Sequence, residues 1–178
     1  MPILMVIAIL IIIVLAMYNS LVKAENKVNQ AESNIDVYLN QRFDLIPNLV
    51  ECVKAYSKYE QSILAEIARL RTEYMKKNKN IKSAENLNNK MNELIAIAED
   101  TPNLKASDQY LKLQKTLEKL ESQLQAARRI YNIEVTHYNN KIETVPSNII
   151  ASLFGFKQAD LFEINEYKKK NVDVKVGE

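Results

Sequence analysis

Glu134-Val-Thr-His137 sets a carboxylate and an imidazole one helical turn apart, the spacing with which di-iron carboxylate bundles hold metal. That chemistry needs two such pairs, and the chain has 1 His, so the pair reads as an ordinary helix-face histidine. Cys52 lies between Glu51 and Val53 with no histidine near it in sequence, which favours a small core hydrophobe over a nucleophile. A Ser-His-Asp triad would have to use the same His137, and nothing marks a serine for it. The chain has only 2 Gly, which leaves no room for a glycine-rich phosphate loop or a dinucleotide fingerprint. A single Cys beside the single His excludes a zinc finger and a disulfide framework. No catalytic, cofactor-binding or metal residue is assigned, no cofactor is expected, and the reading is that the chain is not an enzyme.

The elements that would carry any site begin with an apolar run. The 178 residues carry a formal net charge of +2, too small to point to nucleic acid. No charged residue precedes Lys23, and residues 3–17 are unbroken apolar. Extended to Val22, the stretch reaches about 20 residues, the length a helix needs to cross about 30 Å of hydrocarbon. A cleaved signal peptide would want a basic start and a small-residue cleavage site, and neither is present. A lipoprotein would want a Cys after the segment. A core helix would want a polar side, which residues 11–15 lack. The segment reads as a single-pass anchor. Lys23 and Lys27 follow it and no Lys or Arg precedes it, which favours the amino terminus outside and the large domain in the cytoplasm.

Beyond the anchor the apolar residues recur at spacings of three and four. Leu21, Ala24, Val28, Ala31, Ile35, Tyr38 and Arg42 share one face of a first helix, which Asp44-Leu-Ile-Pro47 is expected to break as a hairpin. A second helix carries Leu49, Val53, Ile67, Leu70 and Tyr74 and fades into Lys76-Lys-Asn-Lys-Asn80. A third spans about 83–99 and stops before Pro102. The fourth, about 105–143, carries Leu113, Leu117, Leu120, Leu124, Ala127, Tyr131 and Tyr138. At 1.5 Å per residue its length is about 58 Å. The expected fold class is all-α: a single N-terminal transmembrane helix followed by an elongated antiparallel four-helix bundle. After Pro146 the helical pattern dissolves into a short apolar segment and a charged tail expected to be disordered. The expected organisation is an anchor over residues 1–22, the bundle over 23–145, the apolar segment over 146–164 and the tail over 165–178. The Tyr-Asn pairs at 131–132 and 138–139 read as interior positions whose hydroxyls find polar partners and whose amides fix register. Arg42, Arg128, Asp36 and Asp44, if buried, should be paired.

Arg42-Phe-Asp-Leu-Ile-Pro-Asn-Leu-Val50 with Val53-Lys-Ala-Tyr56, then Pro102-Asn-Leu-Lys-Ala106, Ala127-Arg-Arg-Ile-Tyr-Asn132 and Gly155-Phe156, resemble the LemA family in order and type. The resemblance covers nearly all of the chain from Tyr18 to Phe162. Tyr59-Glu60 stands where the family usually has His-Glu, and Val145-Pro146 where it has Phe-Pro. The resemblance implies a membrane-anchored, mainly helical protein of the bacterial cell membrane and implies no enzyme. The functional expectation is a scaffold or adaptor whose bundle binds an unidentified protein partner or itself, with membrane lipid met through the anchor and no nucleic acid. The alternative is a lipid-binding or remodelling protein. It would touch the membrane surface through Lys76, Lys77, Lys79 and Lys82 and through Ile149, Ile150, Leu153, Phe154 and Phe156, if up-down helix parity brings both groups to the bilayer.

Overall fold

The three-and-four spacing becomes helix, and the all-α expectation is met. The structure, a computed structural model, describes residues 2–56, 61–76 and 81–162. The helices are α1 (Pro2–Phe43), α2 (Ile46–Tyr56), α3 (Gln61–Lys76), α4 (Ile81–Glu99), α5 (Pro102–Lys105), α6 (Asp108–Glu143) and α7 (Ser147–Phe154). The expected single second helix from Leu49 to Tyr74 is corrected to two, α2 and α3: Arg71 near the end of α3 bonds Asp44 just ahead of α2, whereas one unbroken helix would hold them about 40 Å apart. The form of the charged tail lies outside the described residues. Contacts divide the chain into two units. One joins the described residues up to Ala31 to those from Arg128 onward; the other spans Glu32–Ala127.

In the second unit much of the stripe read from the sequence is core, with Leu39 and Phe43 added to it and Tyr38 and Leu70 only half-buried. Ile35, Leu39, Phe43, Leu49, Val53, Ile67, Tyr74, Leu87, Met91, Leu94, Leu117 and Leu124 are all buried. The hairpin expected at Pro47 is corrected. Only Asp44 and Leu45 leave the helix, and the Leu49 N–H already donates to the Leu45 carbonyl at 3.0 Å. Arg42 on α1 meets Glu121, whereas Cys52 on α2 lies in the field of Tyr110, so the chain advances along α6 across the break. Proline in a first helical turn forfeits an N–H that has no helical partner there, so it is compatible with a kink as well as with a reversal. The reversal comes later. Arg71 near the end of α3 donates from Nε to the Phe43 carbonyl at 3.1 Å and from Nη2 to Asp44 at 3.1 Å, which returns α3 to the start of α2. Asp44 therefore serves as the partner of Arg71.

Ser107 begins α6 as an N-cap, accepting the Tyr110 N–H at 3.3 Å. Two tyrosines in this unit report burial directly. Tyr74 is pushed up to about 12 by desolvation and then by Asp36; Tyr110 is pushed up to about 12 by desolvation, then Glu99. Tyrosine in an unfolded chain ionises near pH 10. The folded state therefore holds these protons longer. The stabilisation is fully present below about pH 10 and is lost as pH rises through about 12. Among the 9 Tyr, Tyr74 and Tyr110 should be the last to ionise in an absorbance titration. The melting temperature should fall between those two pH values, and Tyr74→Phe with Tyr110→Phe should flatten that fall. Equal ionisation of all tyrosines near pH 10 in the folded protein would contradict this.

The first unit holds the apolar end of α1. Its residues from Ile3 to Leu15 are exposed apart from half-buried Val14, with Ile12 at 65% and Leu4 at 69%. This is the one helix among the described residues that is long and apolar enough to cross a membrane. Ala24 and Val28 on α1 pack with Val135 and Tyr138 on α6, and Leu21 packs with Ile150 and Ala151 on α7. The Lys141 ammonium donates to the Ser20 hydroxyl at 2.8 Å, so α6 runs antiparallel to α1 here. A helix over Ser147–Phe154 corrects the expectation that the pattern dissolves after Pro146. The periodicity is hidden because both of its faces are apolar. Ile150 and Ala151 are buried, and Ile149 and Leu153 are apolar but exposed.

A backbone-holding face on α6

Helix α6 stacks residues seven apart on one face, and this places Asn132 and Asn139 in line. Each side-chain amide carries a donor and an acceptor, enough to satisfy both polar groups of one backbone residue. They do so for the non-helical segment that follows α7. Asn139 donates from Nδ2 to the Ala159 carbonyl at 2.9 Å and accepts the Ala159 N–H at 3.0 Å. Asn132 repeats the pattern with Phe162, donating at 3.1 Å and accepting at 2.8 Å. Between them the Tyr131 hydroxyl donates to the Asp160 carbonyl at 3.0 Å. The Arg128 guanidinium lies 4.7 Å from the centre of the Phe162 ring.

The register follows from two rises. Seven helical residues climb about 10.5 Å, and three residues of nearly extended chain cover about 10 Å. Contacts at 159 and 162 therefore match amides at 139 and 132 only if the segment is stretched out antiparallel to α6. Gly155 makes the approach possible. Its φ of 76° is left-handed, and it ends α7 with the Phe156 N–H donating to the Ala151 carbonyl at 3.0 Å. Behind the face, buried Tyr138 is pushed up by desolvation and then by Glu25.

The hydroxyl of Tyr131 finds a polar partner, as its type leads one to expect. The amides of Asn132 and Asn139 do something the sequence reading missed: they hold backbone instead of fixing helix register. The Tyr-Asn pair repeated after seven residues is the signal that points to them. Arg42 is buried and paired, with Glu121 and with Asn92 at 2.8 Å.

His137 lines an open depression on α6 with Asn132, Ile133, Thr136 and Asn140. Cys52 is buried, and its thiol is pushed up by desolvation, then by Glu51, which is the opposite of activation. Among the described residues no three His, Cys, Asp or Glu side chains converge as metal ligands.

The proposed membrane-contact residues divide. Lys77 and Lys79 lie outside the described residues. Lys76 ends α3 and Lys82 stands in the first turn of α4, both in the second unit. Near that end of α3, Tyr74 packs on Phe43, the last residue of α1, with ring centroids 4.9 Å apart. Ile149, Ile150, Leu153, Phe154 and Phe156 belong to the first unit. Ile149, Leu153 and Phe154 are exposed, Phe156 is half-buried and Ile150 is buried.

An exposed apolar helix start long enough to cross a bilayer, joined to a helical body, defines a membrane-associated helical protein. The LemA family model matches residues 31–176, and the chain belongs to the LemA family. Protein LemA of Metamycoplasma hominis is 24% identical over 159 residues, covering 87% of this chain and 73% of that protein. Magnetosome protein MamQ 2 of Paramagnetospirillum magneticum is 27% identical over 194 residues, covering 90% and 71%. Magnetosome protein MamQ of Magnetospirillum gryphiswaldense is 25% identical over 174 residues, covering 82% and 64%.

Proposed function

We propose that this protein is a membrane-anchored helical adaptor, without a catalytic step, whose α6 face binds an extended stretch of polypeptide from a protein partner or a second copy. The observation that carries the reading is the pair of amides, Asn132 and Asn139, each bonded both ways to one backbone residue. Such contacts read main chain, so they accept many side-chain sequences, and the chain's own residues 157–162 act as the resident occupant. Residues beyond the anchor stand on the cytoplasmic side, the side that Lys23 and Lys27 favour.

The test uses the full chain in detergent with residues 157–162 replaced by a Gly-Ser stretch of equal length, and a fluorescent peptide of residues 156–162 added in trans. Saturable binding is expected. Each of Asn132→Ala and Asn139→Ala should weaken it by roughly tenfold or more, since each removes two hydrogen bonds worth about 1 kcal/mol apiece. Alanines at peptide positions 157, 158 and 160 should change it little. No binding, or binding indifferent to both asparagines, overturns the face as a peptide site. A photoreactive residue in place of exposed Ile133, irradiated in intact membranes, tests the adaptor role. A product containing a protein chain supports the role, and capture of lipid alone overturns it.

A further inference from the structure

Helix α7 has two apolar sides and no charged residue, in a chain that is charged at Glu143 before it and at Lys157 after it. Its inner side is accounted for. Ile150 and Ala151 pack on Leu21, and the Tyr18 ring lies 4.8 Å from Phe154 and 5.9 Å from Phe156. Val14 and Met17 complete that contact, so α7 rests on the carboxyl end of the apolar stretch of α1. Its outer side is bare: Val145 is 77%, Ile149 64% and Leu153 73% exposed.

We propose that this outer side is embedded in the bilayer, at the boundary between headgroups and acyl chains, as a short helix wedged beside the anchor. Three observations select lipid as the occupant. The residues of α1 against which α7 packs include Val14 and Met17, inside the apolar stretch long enough to cross a membrane, where Ile11, Ile12 and Leu15 are exposed. Eight helical residues rise about 12 Å, too short to cross a bilayer and long enough to lie in its interface. The polar groups that frame the helix are bonded to one another in pairs. Lys141 bonds Ser20 at 2.8 Å, and Gln158 bonds Glu143 at 2.5 Å. Tyr18 among the two phenylalanines stands where aromatic rings collect at a membrane interface. The chain thus enters the bilayer twice, once to cross it and once to dip, and the dip fixes how deep the anchor sits. Unlike the surface contact imagined from sequence, it needs none of Lys76, Lys77, Lys79 or Lys82. It is independent of the peptide face on α6.

The test uses the full chain in vesicles of phosphatidylcholine, with Cys52→Ala and one new cysteine carrying an environment-sensitive fluorophore. Leu153→Cys and, separately, Ile149→Cys report the outer side, and Thr116→Cys on exposed α6 is the reference. The expected result is blue-shifted emission at 153 and 149 and several-fold stronger quenching by nitroxide-bearing lipid than at 116, unchanged when the protein is diluted into excess lipid. Emission and quenching at both positions matching those at 116 would place α7 in water and overturn the proposal. Blue-shifted emission that lipid nitroxides leave unquenched, and that reverts on dilution, would show a second copy of the chain covering this side, and would also overturn it.

Discussion

Glu121→Ala should lower the unfolding free energy by about 3 kcal/mol, the cost of leaving a buried charge without its counter-ion. Arg42 keeps only 5% of its side chain exposed; its Nη1 pairs with Glu121 and its Nη2 donates to the Asn92 side-chain oxygen at 2.8 Å. Loss of the carboxylate removes the charged partner at Nη1 while the Asn92 amide stays in place, and a neutral amide offsets less of the desolvation than a carboxylate does. For a chain of this size the loss corresponds to a fall of about 6–12 °C in melting temperature. Glu121→Gln keeps an acceptor and should fall between the two. Replacing both partners with apolar residues, Arg42→Met with Glu121→Leu, should recover most of the loss, because no buried charge then remains. A change under about 1 kcal/mol for Glu121→Ala would show that water reaches Arg42, against its burial.

Phe43→Ala should cost about 4 kcal/mol. The ring is fully buried and meets Tyr74 edge-on, at 4.9 Å between centroids and 81° between planes. Its removal takes away apolar burial, leaves a cavity and forfeits the aromatic pair, which adds about 1 kcal/mol beyond burial. The effect reaches further than the ring, because Arg71 is bonded to the carbonyl of the same residue. Loosening the end of α1 therefore loosens α3. Val37→Ala on exposed α1 is the control and should stay within about 0.5 kcal/mol. Chemical denaturation of the full chain in detergent compares the two. Equal midpoints would mean that the core does not close on Phe43.

Much of the fold was legible because it rests on local quantities. Hydropathy adds residue by residue, so the charge-free stretch before Lys23 announces a membrane helix without any reference to the rest of the chain. The recurrence of Leu21, Ala24, Val28, Ala31 and Ile35 is a property of one helix, and all five are buried. The same holds for Leu113, Leu117, Leu120, Leu124 and Ala127 on α6. Pro102 stops α4 where a residue ahead of proline should leave the helix. The candidate site was less visible. The repeated Tyr-Asn pair was present, but an amide on a helix face has several possible partners, and spacing alone cannot choose a segment 20 or 30 residues further on.

The sequence by itself determined the long apolar helix start, the helical class, the apolar faces and the position of the break near Pro47, since each depends on neighbours within a turn or two. Tertiary structure alone decided which way the chain goes past that break. A proline in a first turn permits a kink as readily as a hairpin, and the placement of Arg42 at Glu121 and of Cys52 near Tyr110, further along α6, settles it as a kink. It alone decided that Arg42 pairs with Glu121, 79 residues away, although closer acids were available. It alone gave Asn132 and Asn139 a backbone to hold and α7 a helical form. In each case the deciding energy is a sum of contacts between distant residues, each worth about 1 kcal/mol. Such a sum has no periodicity along the chain from which it can be read.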